Sequence, residues 1–460
     1  MSSSPGHSAD PALPVATSQF ALLAQRRFAP FFATQLAGAF NDSFFKQVLV
    51  LLVTYHASDF TTMSAGLVAN IAAGIFILPF VLFSALAGQL ADRFDKAIVI
   101  RSVKAVEVLI MLVASVGFFL KSLPLLLVCV FAMGSHSAFF GPVKYSLLPR
   151  VLRAEELTGG NGLLEMGTFL SILTGTLVAG VLVAGTSDPL HLSLALLGIA
   201  AVGLVTSLFV PLTGRAAPDL KLGFNVFRET GASIAMAHRE GRGVWNSLLA
   251  ISWFWFFGSV VLAQLPALGK DVLHGETSVV TLLLALFSVG VAIGSMLCEK
   301  LSNHQVEIGL VPVGSIGLSV FAADLAFASG SFGTTLAGSV DALSWTTFVD
   351  APGSWRILID MTAIGLFGGI FIVPLYAFVQ LNTAAERQSR IIGANNILNA
   401  LFMVVAAGMS AGLLAMGASV TQLILVCAVL NALVAAYIYR TVPEFFWRFL
   451  ARLRGATAPS

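Results

Sequence analysis

Long apolar runs recur along the whole chain and are separated by short polar segments. A helix rises 1.5 Å per residue, so about 20 apolar residues cross the roughly 30 Å hydrocarbon core of a bilayer. Twelve runs approach or exceed this length, and they cover residues 30–55, 64–88, 97–120, 123–145, 162–185, 189–211, 244–268, 277–298, 307–329, 355–380, 391–415 and 419–440. The pattern therefore predicts an all-α integral membrane protein with about 12 transmembrane helices.

The spacing of the runs divides the chain into two sets of six. The longest polar segment, residues 212–243, separates the sixth run from the seventh and contains a basic, partly apolar stretch typical of a helix on the membrane surface. We therefore predict two pseudo-symmetric six-helix halves, residues 28–211 and 244–440. A mobile tail at 1–27 and a second tail at 441–460 flank them.

An internal repeat supports this division. The stretch "GPVKYSLLPRVLRAEELTGGNGLLEMGTFL" joins the fourth run to the fifth, and "VPLYAFVQLNTAAERQSRIIGANNILNALF" joins the tenth to the eleventh. Aligning Asn161 with Asn395 also brings Glu165 opposite Asn399. Duplicated halves are expected to match at equivalent positions such as these.

Composition agrees with a membrane location, because 57% of the residues are hydrophobic and only 10% are charged. A soluble domain could not bury that much apolar surface. The net charge of +2 gives no indication of a nucleic acid partner. The three cysteines lie far apart in sequence, so the chain predicts buried thiols, with no disulfide framework, metal site or cofactor.

Lys and Arg concentrate in alternate connections between the runs. The first such connection carries Arg93, Lys96, Arg101 and Lys104. Basic residues near the ends of spans favour retention of a connection in the cytoplasm. The bias therefore predicts that both termini are cytoplasmic.

The first predicted span carries Asn41, Asp42 and Lys46 near its centre. Asp42 lies about 12 residues into the span, so it is roughly 18 Å deep and close to the bilayer midplane. An ionised side chain there costs about 2.5–3.5 kcal/mol and needs a partner or a water-filled cavity. Lys46 follows by four residues on the same helix face, so the two charges either pair with each other or line a cavity. Gln35 widens the polar face and favours the cavity.

Few other polar side chains fall within the predicted spans, which makes them informative. Lys144 and Glu165 occupy the inner ends of the fourth and fifth spans, where they can form either a gate-like ion pair or a static clamp. His136 can either contact the substrate or bond to a neighbouring side chain. The remaining candidate cavity residues are Asn161, Gln264, Gln380, Asn395 and Asn399.

The stretch "GQLADRFDKAIVIR" resembles the loop motif of the major facilitator superfamily, with Gly88, Asp92, Arg93 and Lys96 in the matching positions. Asp95 stands where that family usually has a second glycine. The resemblance implies that Asp92 caps or pairs with a neighbouring helix and helps to latch one transport conformation. The alternative is a solvated charged turn that only sets topology.

Two longer stretches, "FFATQLAGAFNDSFFKQVLVLLVTY" and "FFGPVKYSLLPRVLRAEELTGGNGLLEMGTFLSILTG", resemble the bacterial lysophospholipid transporter family of that superfamily. This resemblance implies a major facilitator fold that flips lysophosphatidylethanolamine or lysophosphatidylglycerol from the outer to the inner leaflet of a Gram-negative inner membrane. It also implies that an acyltransferase acts on the product. The His and Asp spacing of glycerolipid acyltransferases is missing from the sequence.

On this hypothesis, the lipid headgroup enters a polar cavity near Asp42, Lys46, Lys144 and Glu165, since a phosphate needs a cation and an ammonium needs an anion. The acyl chain stays against apolar walls or in lipid. The alternative is a proton-coupled transporter of a soluble drug-like or nutrient solute, with Asp42 as the proton site. An enzyme is disfavoured because the sequence shows no catalytic or phosphate-binding motif. We expect a monomer.

Overall fold

The structure is a computed structural model, and it describes residues 18–56, 60–186, 188–335 and 342–454. Within these residues the α-helices are α1 (Ala29–Tyr55), α2 (Ala65–Arg93), α3 (Lys96–Phe119), α4 (Leu123–Val151), α5 (Leu157–Gly185), α6 (Pro189–Leu208), α7 (Val226–Arg239), α8 (Arg242–Ala267), α9 (Thr277–Leu301), α10 (Leu310–Thr335), α11 (Trp345–Asp350), α12 (Ser354–Leu381), α13 (Gln388–Ala415), α14 (Val420–Thr441) and α15 (Glu444–Leu453).

Eleven of the described helices are long and apolar enough to cross a membrane, namely α1, α2, α4, α5, α6, α8, α9, α10, α12, α13 and α14. The remaining predicted span, residues 97–120, corresponds to α3. This helix has 24 residues but buries the charged side chains of Lys96, Lys104 and Glu107. The prediction of an all-α membrane protein is confirmed, and α3 contributes three of the buried charged side chains.

The described residues form two compact units. The first unit comprises the described residues of 1–160, 170–240 and 380–400. The second unit comprises the described residues of 161–169, 241–379 and 401–460. The predicted halves therefore differ from the units in two short segments, 161–169 and 380–400, each of which groups away from the rest of its predicted half.

Side-chain contacts explain the grouping of these segments. The first turn of α13 belongs to the first unit because its backbone binds the carboxylate of Asp92 on α2. The segment 161–169 belongs to the second unit, where the ring of Phe169 packs edge-to-face against Phe254 and Phe287, with centroids 6.3 and 5.9 Å away. Neither contact can be predicted from the hydropathy pattern, because that pattern describes each helix separately.

The first unit has an apolar core to which all six of its long helices, α1 to α6, contribute. Large side chains such as Phe44 and Phe45 of α1 and Phe118 of α3 are almost completely buried there. Burial of such side chains holds neighbouring helices in fixed register. The polar residues of α1 and α3 therefore sit on helices whose positions the core determines.

The N-terminal segment is less free than the sequence predicts. Residues 1–17 lie outside the described part of the chain, but Gln19–Ala24 form a 3-10 helix in which Leu22 is fully buried. Arg27 donates hydrogen bonds to both carboxylate oxygens of Glu156, at 2.8 and 2.7 Å. Residues 19–27 of the predicted tail therefore make defined contacts in the first unit, and the cytoplasmic location of the tail stays a prediction.

Two amphipathic helices occupy the predicted linker and the C-terminal segment. In the linker, the side chain of Asn225 caps α7, and Phe227 is 89% exposed. In the C-terminal segment, Phe445 of α15 is buried next to Phe378, while Trp447 is 63% exposed. A helix with one apolar face suits a membrane surface, and that location stays a prediction for both. Residues 455–460 of the predicted tail lie outside the described part.

Candidate functional site

Asp42 and Lys46 lie on one face of α1, as predicted, but each contacts a different helix. Asp42 accepts a hydrogen bond of 2.6 Å from the hydroxyl of Ser137 on α4. Lys46 places its ammonium 3.9 Å from the ring centroid of Phe76 on α2, a cation–π contact. Within the described part of the chain, no ion pair joins Asp42 to Lys46, and Oδ1 of Asp42 has no hydrogen-bond partner. The structure therefore does not show the self-neutralised pair, which is one of the two predicted alternatives.

Asn41 points to a different group of charges. Its amide donates a hydrogen bond of 2.7 Å to Oε1 of Glu107 on α3. The other oxygen of Glu107, Oε2, lies 2.7 Å from the ammonium of Lys104 and 3.2 Å from Nε2 of His136 on α4. None of these four side chains is more than 4% exposed. We refer to Asn41, Lys104, Glu107 and His136 as the Glu107 cluster.

Mutual contacts compensate the burial of charge in the Glu107 cluster. Moving a carboxylate and an ammonium out of water costs several kcal/mol per ion, and an ion pair offsets this only with good geometry and further hydrogen bonds. Glu107 receives both an ammonium and an amide donor, and Lys104 also lies 4.9 Å from the ring centroid of Phe140. The opposite charges of Lys104 and Glu107 cancel, which makes their burial between helices tolerable.

Local sequence explains why Lys104 fits. Lys104 and Glu107 are three residues apart on α3 and therefore share a face. A Cβ atom added to Gly38 of α1 would lie 2.3 Å from the Lys104 ammonium, and one added to Gly203 of α6 would lie 3.6 Å from its Cδ. Two glycines on two neighbouring helices therefore leave the space that the lysine side chain fills.

Sequence reasoning missed Lys104 and Glu107 as site residues. It assigned Lys104 to a cytoplasmic connection, whereas the residue belongs to α3 and its side chain is fully buried. Glu107 lies further inside the same apolar run and meets the criterion that singled out Asp42, an acid within a spanning segment. That criterion, applied to every run, would have found it. His136, by contrast, was predicted as a candidate and does lie in the cluster.

The loop motif places a carboxylate at the start of α13. Asp92 is fully buried and accepts hydrogen bonds from the backbone N–H groups of Ser389 and Arg390, at 3.0 and 3.3 Å, and from Nε of Arg390 at 3.0 Å. A Cβ atom added to Gly88 would lie 2.7 Å from the Ser389 carbonyl oxygen. An anion at a helix N-terminus is favourable, and Gly88 permits the close approach. Asp92 therefore does not lie in a solvated turn.

The other motif residues organise the turn between α2 and α3. Lys96 is buried and donates to the carbonyl of Ala91 at 3.1 Å, while the Arg93 guanidinium lies 5.5 Å from the ring centroid of Phe94. Asp95, which replaces the usual glycine, caps α3, and its Oδ2 accepts from two backbone N–H groups of the segment after α6. The departure from the family pattern therefore adds hydrogen bonds to the turn.

The remaining predicted cavity residues are buried, and several bond to the protein itself. Gln380 donates to the carbonyl of Tyr145 at 3.0 Å, and Asn395 donates to Asn399 one turn later at 3.2 Å. The Lys144 ammonium lies 4.9 Å from the ring centroid of Tyr145. Buried side chains at the other predicted positions are Gln35, Asn161, Glu165 and Gln264. Lys144 and Glu165 fall in different compact units, and their pairing stays a prediction.

The second unit has a charged group that sequence reasoning also missed. Arg356 near the start of α12 donates from Nε to Asp324 of α10 at 2.9 Å. Asp360, one turn after Arg356, is 2% exposed, and its Oδ2 lacks a hydrogen-bond partner among the described residues. Each unit therefore contains acidic side chains within its membrane-spanning helices.

The sequence profile described as Major Facilitator Superfamily matches residues 31–406 of the chain. The lysophospholipid transporter LplT of Photorhabdus laumondii is 27% identical over 312 residues, which cover 66% of this chain and 69% of that protein. The protein of the same name from Enterobacter sp. is 29% identical over 332 residues, covering 70% and 72%.

Solved structures with the same fold are more distant in sequence. The human organic anion transporter MFSD10 superposes with a TM-score of 0.68 at 15% identity, covering 90% of this chain and 99% of that one. The fucose:proton symporter FucP of E. coli gives 0.66 at 13% identity, covering 91% and 99%. At these identities the similarity concerns the fold alone.

Proposed function

Because this chain belongs to the major facilitator superfamily, we propose that it is a transporter whose substrate is a lysophospholipid, which it moves between the two leaflets by alternating access. The transport class follows from the family. The substrate rests on the two relatives named lysophospholipid transporters and on the charges of α1. We infer that the chain has no enzymatic activity and that its polar groups bind and move the lipid headgroup.

The observation that carries this proposal is that Asp42 and Lys46 lie one helical turn apart without pairing with each other. Asp42 retains an oxygen with no hydrogen-bond partner in the described structure, and the Lys46 ammonium faces an aromatic ring. A phosphoethanolamine headgroup carries a phosphate and an ammonium, which require a cation and an anion. The two side chains offer both charges to one zwitterionic ligand.

The direction and location form the finer part of the proposal. We place the protein in a Gram-negative inner membrane, and the Lys and Arg bias of the connections supports cytoplasmic termini. The lysophospholipid then arrives in the inner leaflet, where an acyltransferase consumes it. Asp92, bound to the first turn of α13, is the residue that we assign to stabilising one transport conformation. We propose that the protein acts as a monomer.

The deciding experiment is a flipping assay in proteoliposomes with lysophosphatidylethanolamine that carries a fluorescent acyl chain. Extraction by albumin measures the fraction of lipid that remains in the outer leaflet. Vesicles with the protein should lose the extractable fraction much faster than protein-free vesicles of the same lipid. No acceleration, together with uptake of a soluble solute driven by a proton gradient, would replace the lipid proposal by the alternative.

A further inference from the structure

An apolar groove of about 720 Å³ runs along the first unit, where α2, α3 and α4 provide its walls. Most of its lining is hydrocarbon, from residues such as Phe83, Leu90, Val103, Val106 and Phe139. The ring of Phe83 stacks on Phe139, with centroids 6.0 Å apart, and the two rings form part of the wall. The volume falls within the range of about 300–1,000 Å³ that ligand sites usually have.

The groove exists because α2 packs closely on α4. A Cβ atom added to Gly134 of α4 would lie 2.3 Å from the carbonyl oxygen of Phe76 on α2, so the backbones of these helices touch. α3 follows α2 after a turn of two residues and also packs on α4. The space between α2 and α3 is the groove.

The groove is partly open at the surface of the first unit. It follows α3 from Ile98 to Ile110, a length of about 18 Å at 1.5 Å per residue, which is more than half of the hydrocarbon core. Ile98 and Val106 in its walls are 49% and 47% exposed. An occupant of this groove must be largely apolar, because the lining offers it few polar groups.

Three lining residues are polar, but only one has a polar atom that lacks a hydrogen-bond partner among the described residues. The hydroxyls of Ser102 and Ser135 donate to carbonyl oxygens of their own helices, at 3.0 and 2.9 Å. His136 is 4% exposed, and its Nδ1 has no hydrogen-bond partner in the described part of the chain. Its Nε2 lies 3.2 Å from the carboxylate of Glu107. The groove therefore borders the Glu107 cluster through a single imidazole.

We propose that this groove holds the acyl chain of a lysophospholipid while its headgroup lies on the side of the Glu107 cluster. The inference deepens the proposed function, on which the identity of the lipid rests. A single-chain amphiphile matches a surface that is apolar along its length and polar at one imidazole. Keeping the chain in a groove that opens to lipid also avoids any cost of removing it from hydrocarbon.

The test uses lysophosphatidylethanolamine with a photoreactive diazirine in its acyl chain, added to the full-length protein in lipid nanodiscs. Peptide mass spectrometry after irradiation should locate the label on α3 and α4, at groove residues between Ile98 and Phe139. Unlabelled lysophosphatidylethanolamine should compete with the label, whereas diacyl phosphatidylethanolamine at the same concentration should not. Equal competition by the diacyl lipid would identify the groove as a site for bulk membrane lipid and overturn the inference.

Two matched variants separate blocking of the groove from general damage. Val106→Trp fills the groove, and Leu109→Trp places the same ring at a 60% exposed position of α3 that does not line it. We expect Val106→Trp to lower groove labelling about tenfold, since an indole there displaces the chain's packing contacts. Leu109→Trp should label like the natural protein. Equal labelling of both variants would overturn the inference.

The flipping assay on the same samples distinguishes the two proposals. If the natural protein flips the lipid but the label lies outside the groove, the groove inference is wrong and the proposed transport function is retained. Groove labelling without flipping would support the groove as a lysophospholipid site and remove the proposed transport function.

Discussion

Lys104 and Glu107 form an ion pair inside a helix of membrane-spanning length, with 2.7 Å between Nζ and Oε2 and side chains that are 0% and 1% exposed. Glu107 also accepts a hydrogen bond from Asn41 on α1 and approaches His136 on α4. One carboxylate therefore connects three helices of the first unit. The physical consequence is that stability and transport should both depend on this buried pair.

Removal of the carboxylate should destabilise the first unit. Glu107→Gln leaves the Lys104 ammonium buried without its anion, and breaking a buried pair in this way costs about 3–5 kcal/mol. Thermal unfolding of the purified protein in detergent should therefore begin at a clearly lower temperature. The double variant Lys104→Met with Glu107→Leu removes both charges and should recover most of the loss.

A surface ion pair provides the control for this prediction. Glu444 and Arg448 of α15 are 3.0 Å apart, but their side chains are 54% and 29% exposed. Pairs of this kind contribute about 0–1 kcal/mol, so Glu444→Gln should leave the unfolding temperature almost unchanged. Equal destabilisation by Glu107→Gln and Glu444→Gln would contradict the importance of burial.

The space beside Lys104 gives a second prediction. In Gly38→Ala the new methyl group would lie 2.3 Å from the Lys104 ammonium, so the lysine side chain must move away from Glu107. Overpacking of this kind costs about 1–3 kcal/mol, and we expect slower flipping together with a lower unfolding temperature. Gly198→Ala, where nothing lies within 4 Å of the added carbon, is the control and should be neutral or slightly stabilising. Undiminished stability of Gly38→Ala would show that the site can adjust.

The helices could be predicted from the sequence because the length of an apolar run is a property of each segment by itself. Asp42 was found in the same way, since an acid among apolar residues needs no knowledge of its neighbours. Its partners could not be found, because Ser137 is 95 residues away in sequence. The same limit hid the function of Gly38, which becomes visible only when α1 and α3 are placed side by side.

The differences between the predicted halves and the compact units have a similar origin. A boundary read from polar linkers assumes that every helix packs with its neighbours in sequence. Asp92 instead binds the backbone of Ser389, 297 residues later, and this contact groups the start of α13 with the first unit. The packed segment before α1 was also missed, because the burial of Leu22 depends on a surface that the local sequence does not describe.

The Asp92 contact leads to a third prediction, concerning conformational equilibrium. Asp92→Asn weakens charge-assisted hydrogen bonds to the first turn of α13, each worth about 1.5–3 kcal/mol. A change of 1.4 kcal/mol shifts a two-state equilibrium about tenfold. We expect slower flipping and increased labelling by a maleimide of a cysteine introduced at Ser389, because the contact that covers it opens more often.

The control for Asp92 is another aspartate at a helix N-terminus. Asp188 caps α6 by accepting a hydrogen bond of 2.9 Å from the backbone N–H of Leu190, but its side chain is 49% exposed. Asp188→Asn should leave flipping unchanged, since asparagine is also a good cap. If Asp92→Asn also flips lipid at the natural rate with unchanged labelling, the latch assignment is wrong.

The fourth prediction tests whether the two charged side chains of α1 bind different groups of the lipid headgroup. Lysophosphatidylethanolamine carries a phosphate and an ammonium, whereas lysophosphatidylglycerol carries a phosphate and no cation. Lys46→Gln should therefore slow flipping of both lipids, because it removes the partner of the phosphate. Asp42→Asn should slow flipping of lysophosphatidylethanolamine more than that of lysophosphatidylglycerol. Since a hydrogen bond to a charged group is worth about 1.5–3 kcal/mol, the affected initial rates at low lipid concentration should fall about 10- to 100-fold.

Ser137→Ala tests whether Asp42 acts through the lipid or through the protein. This variant removes the hydroxyl that donates to Asp42 at 2.6 Å and leaves the carboxylate in place. If Asp42 binds the lipid ammonium, Ser137→Ala should leave the ratio of the two flipping rates as it is in the natural protein, even where it lowers both rates. If Asp42 only holds α1 against α4, Asp42→Asn and Ser137→Ala should slow both lipids by the same factor and lower the unfolding temperature together. That result would return Asp42 to a packing role and leave Lys46 as the headgroup contact of α1.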